Sequence, residues 1–192
     1  MTAPPNARPR GHPPSARNPT RSRLLLRARV VLPVSGPPIP DGAVLISGRR
    51  IAAVGRWRDL ATRAPKHTVD FGEAVLLPGL VNAHCHLDYT DMAGQLPPPK
   101  VFSDWLKLIT EIKSGWDRAD YLASWLKGAR MLVRTGTTTV ADMEAVPQLL
   151  PEVWHATPLR VFSFLELIGI KGHRQPQDRV QEAVARLEEL KH

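Results

Sequence analysis

Residues 78–87 read PGLVNAHCHL and combine a turn, a short strand pattern and two histidines. Its Pro-Gly pair is a turn signal, and the mainly apolar segment 80–83 that follows runs directly into His84. In a β-strand, residues i and i+2 project to the same side, so both imidazoles can converge on one point while Cys85 points away. The stretch therefore predicts a strand that ends at a pair of side chains able to hold a metal.

Two neutral imidazoles, each about 2.0 to 2.1 Å from one Zn²⁺, would be half of a tetrahedral site. The His-x-His pattern by itself is common, and two polar residues at a strand end are the alternative interpretation. The flanking sequence decides between the two.

Beyond this stretch, predicted strands alternate with predicted helices. Trp105, Leu108, Ile109 and Ile112 follow helical spacing and predict one amphipathic helix. Further helices are predicted at residues 119–134 and 176–190, and strands at residues 137–141 and 159–165. Strands separated by helices imply parallel pairing with right-handed crossovers. The expected fold class is α/β, as about the first three βα units of a (β/α)₈ TIM barrel.

Residues 24–77 carry the signals of short strands instead. Apolar, β-branched runs at residues 24–32, 43–47, 51–55 and 67–71 are each bounded by turn residues. We expect a small β-sandwich-like domain here, followed by the barrel portion over residues 78–192.

Residues 1–23 hold five arginines, six prolines and no acidic residue, so subtracting this stretch from the net charge of +8 leaves +3. A segment with so few large apolar residues cannot bury enough surface to fold, and we expect a disordered tail. A mis-set start codon, a transit peptide and a nucleic-acid arm are alternatives, although the prolines oppose the amphipathic helix of a transit peptide.

The cysteine count and the length of the apolar runs narrow the class of protein further. Cys85 is the single cysteine, so no intramolecular disulfide can form and a cytoplasmic protein is the default expectation. No apolar run approaches the roughly 18 residues of a membrane span, so we expect no membrane insertion.

Residues 78–87 closely resemble the first-strand metal motif of the amidohydrolase superfamily, and residues 136–142 (GTTTVAD) resemble its second barrel strand. Asn82 and Ala83 before the histidines are similar to the cytosine deaminase and triazine chlorohydrolase branch. Residues 102–106 and 164–169 also look similar to aminofutalosine deaminase-like members.

This resemblance implies one divalent metal, Zn²⁺ first and Fe²⁺ second, held in part by His84 and His86. It implies hydrolytic deamination, or a related C–N or C–Cl hydrolysis, of a heterocycle or nucleoside by metal-activated water. In the family the other ligands and the acid/base carboxylate come from later strands, so we expect them beyond His192. The fragment alone is expected to be inactive.

Five further residues are candidates for the pocket. Asp142 and Glu166 follow predicted strands, where they could contact substrate or serve a loop or helix cap. Asp88 could hydrogen-bond a ligand imidazole or make a local turn contact. Trp105 could cover the substrate or pack in the core, and His173 lies in the loop after the third strand.

Two alternatives belong to other classes of protein. A truncated, non-catalytic product or pseudoenzyme would leave an open parallel edge that invites aggregation or association. A nucleic-acid binder acting through the basic tail would show steeply salt-dependent affinity. The expected partner is a small heterocyclic molecule, with no specific nucleic acid, no membrane and an open oligomeric state.

Overall fold

A computed structural model of the chain describes residues 23–63, 67–98, 100–144, 146–167 and 175–190. The predictions for the basic tail up to residue 22 and for His173 lie outside these residues. The chain divides into two units, Met1–Pro78 and Gly79–His192. No helix in the described part of the chain is long and apolar enough to span a bilayer.

The first unit is built on one mixed β-sheet. Its elements are β1 (Arg23–Val31), β2 (Ile39–Ser47), β3 (Arg50–Arg56), helix α1 (Trp57–Leu60), a 3₁₀ turn (Ala61–Arg63), β4 (His67–Asp70) and β5 (Val75–Leu76). The hairpins β1–β2 and β2–β3 are antiparallel, whereas β4 and β5 both pair parallel to β1. Leu25, Ala43, Leu45 and Leu60 form its core. The sequence predicts a small β-sandwich-like domain here, and the described residues of this unit form a single sheet.

The second unit begins with the strand of the histidine motif. Its elements are β6 (Leu80–Cys85), a 3₁₀ helix (Leu87–Met92), α2 (Phe102–Ser114), α3 (Arg118–Arg134), β7 (Thr137–Glu144), a 3₁₀ turn (Pro147–Leu149), α4 (Leu150–His155), β8 (Arg160–Leu165) and α5 (Pro176–Glu189). The strands lie in the order β6-β7-β8, and both pairs are parallel. Parallel strands in chain order with intervening helices are the start of a (β/α) barrel, as the sequence predicts.

Helix α3 packs on the segment that follows the histidines. It begins at a capping box in which Asp117 and Asp120 each accept a backbone N–H from the other end of the turn. Its buried face carries Ser124, Trp125 and Gly128. Ser124 accepts the Asp91 N–H at 2.9 Å and donates to the Asp88 carbonyl at 2.7 Å. The helix therefore fixes the backbone of the 3₁₀ helix at Leu87–Met92.

One face of the three-stranded sheet carries exposed apolar side chains. Along β8 exposure alternates, with Phe162 and Phe164 exposed and Val161 and Leu165 half-buried. Val81 on β6 is 68% exposed. The alternation shows that one face of the sheet packs on helices while the other lacks cover within the described residues.

Strand β7 runs to Glu144, three residues beyond the predicted end at Ala141. Near the end of this strand, the carboxylate side chains of Asp142 and Glu144 are completely buried. Glu144 Oε1 accepts the Val146 N–H, while Oε2 has no hydrogen-bond partner among the described residues. Burial, together with the nearby Asp88 and Asp142 carboxylates, raises the pKa of Glu144 to about 7, opposed by the Val146 bond and the Lys113 ammonium.

Gly128 should resist substitution, although alanine in a helix interior normally stabilises by about 1 kcal/mol. A Cβ at this position would lie 2.3 Å from Thr90 Oγ1 and 3.2 Å from the Leu87 carbonyl oxygen, so α3 would have to move off the 3₁₀ helix. We expect Gly128→Ala to lower the free energy of unfolding by about 1 to 3 kcal/mol in urea titrations. At Gly115 the nearest atom is 3.7 Å away, and Gly115→Ala as the matched control should be neutral or slightly stabilising.

Glu144 should make stability depend on pH. Because its folded pKa of about 7 lies above the ordinary 4.5, its stabilising contribution is complete below pH 4.5 and is lost as the pH rises through 7. Glu144→Gln keeps the uncharged form, so we expect it to exceed wild type at pH 8 by up to about 3 kcal/mol and to match it at pH 4.5. Glu152→Gln, which removes an exposed pair with Arg118, is the control and should change stability by less than about 1 kcal/mol at either pH. Parallel pH profiles of wild type and Glu144→Gln would contradict the raised pKa.

Candidate metal centre

His84 and His86 flank the end of strand β6. His84 lies within the strand and is exposed, and its backbone N–H donates to Asn82 Oδ1 at 3.2 Å. His86 comes directly after the strand, in extended conformation, and precedes the 3₁₀ helix. The two ring centroids lie 5.4 Å apart with their planes at 72°. The strand end therefore presents two imidazoles side by side.

This pair fits a shared metal ion. Two imidazoles bound tetrahedrally at about 2.0 to 2.1 Å would place their ring centroids about 5 Å apart, close to the observed separation. Cys85 between them packs against the core instead, and burial raises the pKa of its thiol, which disfavours a thiolate ligand. Within the described part of the chain, no group of three His, Cys, Asp or Glu side chains could hold a metal. The described residues thus offer two donors of a larger ligand set.

Tyr89 stacks on the second histidine. Its ring centroid lies 4.4 Å from that of His86, with an interplanar angle of 18°. Its backbone N–H donates to the His86 carbonyl at 3.1 Å, which closes the first turn of the 3₁₀ helix. Burial, and next the nearby Asp88 carboxylate, raises the pKa of the Tyr89 phenol, so this ring is neutral across the physiological range. One face of the His86 imidazole is therefore covered by a neutral aromatic ring.

Asp88 turns away from the imidazoles and into the protein. Its side chain is 1% exposed, and Oδ2 accepts from Lys113 Nζ at 2.6 Å. Its Oδ1 has no hydrogen-bond partner among the described residues. The sequence allowed Asp88 a hydrogen bond to a ligand imidazole, but the Asp88 carboxylate pairs with Lys113 instead. The reason is that the 3₁₀ helix breaks the strand alternation after His86.

Asp142 is fully buried at the same end of the sheet. One carboxylate oxygen accepts the Leu87 N–H at 3.0 Å, and the other accepts Trp125 Nε1 at 2.7 Å. Burial raises the pKa of Asp142, and these two hydrogen bonds oppose the rise. With each oxygen hydrogen-bonded and the side chain fully buried, Asp142 holds the backbone next to His86 and faces the core.

Glu166 follows β8 and lies beside Glu144. Its backbone N–H donates to the Glu144 carbonyl at 2.9 Å, which continues the pairing of β7 and β8 by one residue. Its Oε2 is buried and has no hydrogen-bond partner among the described residues. Glu166 therefore keeps a free acceptor at the strand end where the histidines lie.

Trp105 sits in the first turn of α2, where it is half-buried and stacks on exposed Phe102 at 5.6 Å. Ile109 is the buried residue of that helix. Trp105 is thus partly packed and keeps part of its ring exposed. This is intermediate between the two predicted roles, which are covering the substrate and packing in the core.

Sequence reasoning missed Lys113, Tyr89, Trp125 and Glu144 as parts of this region. A signal for Lys113 was present, since it lies four residues after buried Ile109 and so on the same helical face. No comparable signal marks the Trp125 indole, whose donor bond depends on a carboxylate 17 residues away in sequence.

Solved structures with the same fold include an adenosine deaminase of Xanthomonas campestris with bound zinc, at a TM-score of 0.70 and 24% identity over 86% of this chain and 39% of that one. The aminofutalosine deaminase of Helicobacter pylori in complex with methylthio-coformycin matches at a TM-score of 0.71 and 20% identity, over 87% and 40% of the two chains. Both likenesses show the fold.

Among curated proteins, the 5-methylthioadenosine/S-adenosylhomocysteine deaminase of Moorella thermoacetica is 35% identical over 131 residues. The match covers 63% of this chain and 28% of that enzyme, so the chain spans about a quarter of its length. Residues 42–66 match an imidazolonepropionase-like composite domain of bacteria, and residues 75–177, more than half of the chain, match the amidohydrolase family. The chain therefore belongs to the amidohydrolase family.

Proposed function

We propose that this chain is the metal-binding N-terminal part of a hydrolytic deaminase that acts on an amino-substituted heterocycle, most closely a purine nucleoside. The observation that carries the proposal is the pair His84 and His86, side by side at a strand end with ring centroids 5.4 Å apart. Barrel enzymes do their chemistry at this end of their strands.

The metal in this proposal is one divalent ion, with zinc preferred. Imidazole nitrogens suit zinc and also accept iron, nickel and copper. The Xanthomonas adenosine deaminase, which has the same fold, carries bound zinc. When bound, such an ion supplies Lewis acidity that makes water nucleophilic near neutral pH.

The substrate class rests on the relatives. The Moorella relative is named for deamination of 5-methylthioadenosine and S-adenosylhomocysteine, and the Helicobacter structure is an aminofutalosine deaminase. Each substrate carries polar groups that need partners in the site. The buried Glu166 oxygen without a partner is an acceptor for one hydrogen bond from such a group, and the half-buried Trp105 ring is a surface on which an apolar part of it can pack.

The described residues supply binding and orientation rather than the whole reaction. His84 and His86 contribute two nitrogen donors, and Asp142 fixes the backbone next to them. A tetrahedral site and proton transfer need further donors, which we assign to parts of the enzyme outside the 28% that this chain spans in the Moorella relative. We infer a cytoplasmic location from the single cysteine of this chain, which leaves the chain no intramolecular disulfide.

Metal binding by the chain is the first test. We expect Zn²⁺ to bind at one site, measured by competition with a chromophoric chelator, and His84→Asn or His86→Asn to weaken that binding by at least about tenfold. His67→Asn, at an exposed position on β4, is the matched control and should bind as wild type does. Equal zinc affinity in all four proteins would show that the ion binds elsewhere.

Activity is tested in a chimera in which this chain replaces the matching segment of the Moorella deaminase. We expect ammonia release from an aminopurine nucleoside, and its loss in the His84→Asn chimera. A folded, zinc-loaded chimera that releases ammonia from no nucleoside, pyrimidine or triazine would contradict the proposal and leave a non-catalytic scaffold.

A further inference from the structure

The buried ammonium of Lys113 lies at the end of helix α2, against the segment that follows the histidines. Its side chain is 13% exposed, and Nζ donates to Asp88 Oδ2 at 2.6 Å. Nζ also lies 4.5 Å from the ring centroid of Tyr89 and 5.2 Å from that of Tyr121. One cation therefore has three oriented neighbours, a carboxylate and two aromatic faces.

These contacts continue to the candidate metal ligand. Tyr89 touches the Lys113 ammonium, and the same ring stacks on His86 at 4.4 Å and 18°. The order is ammonium, phenol ring, imidazole. Each contact is directional, because a cation prefers the face of a ring and stacked rings prefer a parallel offset.

The ammonium end of this row, and the backbone at Asp88 between its two rings, are anchored to helix α3. Tyr121 on α3 donates its hydroxyl to the Lys113 carbonyl at 3.3 Å, so the end of α2 is held against α3. Ser124 on α3 holds the carbonyl of Asp88 at 2.7 Å. The row therefore cannot shift without disturbing two helices.

A histidine ring that no neighbouring group holds can rotate about its side-chain torsion angles. A rotated ring points its nitrogen away from the metal. In metal sites a neighbouring group commonly fixes the ligand ring, and its loss typically costs about 10- to 100-fold in metal affinity. The described residues show no hydrogen bond from a ring nitrogen of His86, but they do show the stack on Tyr89. The stack can perform the same orienting task.

We propose that Lys113 and Tyr89 are positioning residues for His86: the ammonium, held by Asp88, fixes the phenol ring, and the phenol ring fixes the imidazole plane. The inference rests on the proposed function in taking His86 as a metal ligand. The stack itself can be measured without metal.

The first test is NMR of the metal-free chain, with its histidine ring signals assigned from the His84→Asn and His86→Asn variants. Stacking on Tyr89 should shift the His86 ring protons upfield. Tyr89→Leu should abolish the shift, whereas Tyr89→Phe, which keeps the ring, should preserve it. An unchanged shift in Tyr89→Leu would overturn the proposal.

The second test is Zn²⁺ affinity of the same chain, read from the His86 signal during titration. We expect Tyr89→Leu to weaken binding about tenfold and Tyr89→Phe to leave it within about twofold. A loss as large in Tyr89→Phe as in Tyr89→Leu would overturn the orienting role of the ring. If wild type binds no zinc at His84 and His86, the proposed function fails. The upfield shift still tests whether Tyr89 stacks on His86.

Lys113 needs a variant that does not strand a buried charge, because Lys113→Met alone would leave Asp88 unpaired and could unfold the chain. The double variant Lys113→Met/Asp88→Asn removes both charges. We expect it to fold, to reduce the upfield shift of His86 and to weaken zinc binding several-fold. Lys107→Met, which breaks an exposed pair with Asp104 on the same helix, is the control. Wild-type shift and affinity in the double variant would remove Lys113 from the proposal.

Discussion

The carboxylate of Asp142 joins three segments of the second unit. It is fully buried, and its two oxygens join the backbone N–H of Leu87 to the indole of Trp125. One side chain thereby connects β7, α3 and the residue directly after His86. Burying a carboxylate is costly unless its oxygens are hydrogen-bonded, so these two bonds favour the meeting of the three elements at this point.

This constraint explains why the histidines are presented outward. With Leu87 tied inward to Asp142, and Cys85 packed against the core, the alternation of the chain leaves His84 and His86 on the side away from the helix layer. The 3₁₀ helix then turns Asp88 inward, where it meets Lys113. Core packing on one side of the strand end therefore determines which side chains are free on the other.

The sequence predicted the elements that depend on apolar patterning, such as β6 and the helix that begins near residue 119, because burial of one face is visible in the order of residues. It ended β7 too early, at Ala141, because Asp142 and Glu144 look like residues of a solvated loop. Their burial depends on donors from Leu87, Trp125 and Val146, which lie in other segments or in the next turn. Pairing of this kind is set by tertiary contacts, and local propensity does not encode it.

The same additional strands would cover the exposed face of the sheet and reach the end of the sheet where His84 and His86 lie. Phe162 and Phe164 on β8 need an apolar cover, and β8 also carries an unpaired edge within the described residues. Strands added in parallel at that edge would close toward a barrel and bury this face. Their carboxyl ends would reach the same rim as His84 and His86, because parallel strands of a barrel all end on one side. In the proposed metal site, the elements that bury the apolar face would also be those that complete the ligand set, and core formation and metal binding would then be coupled.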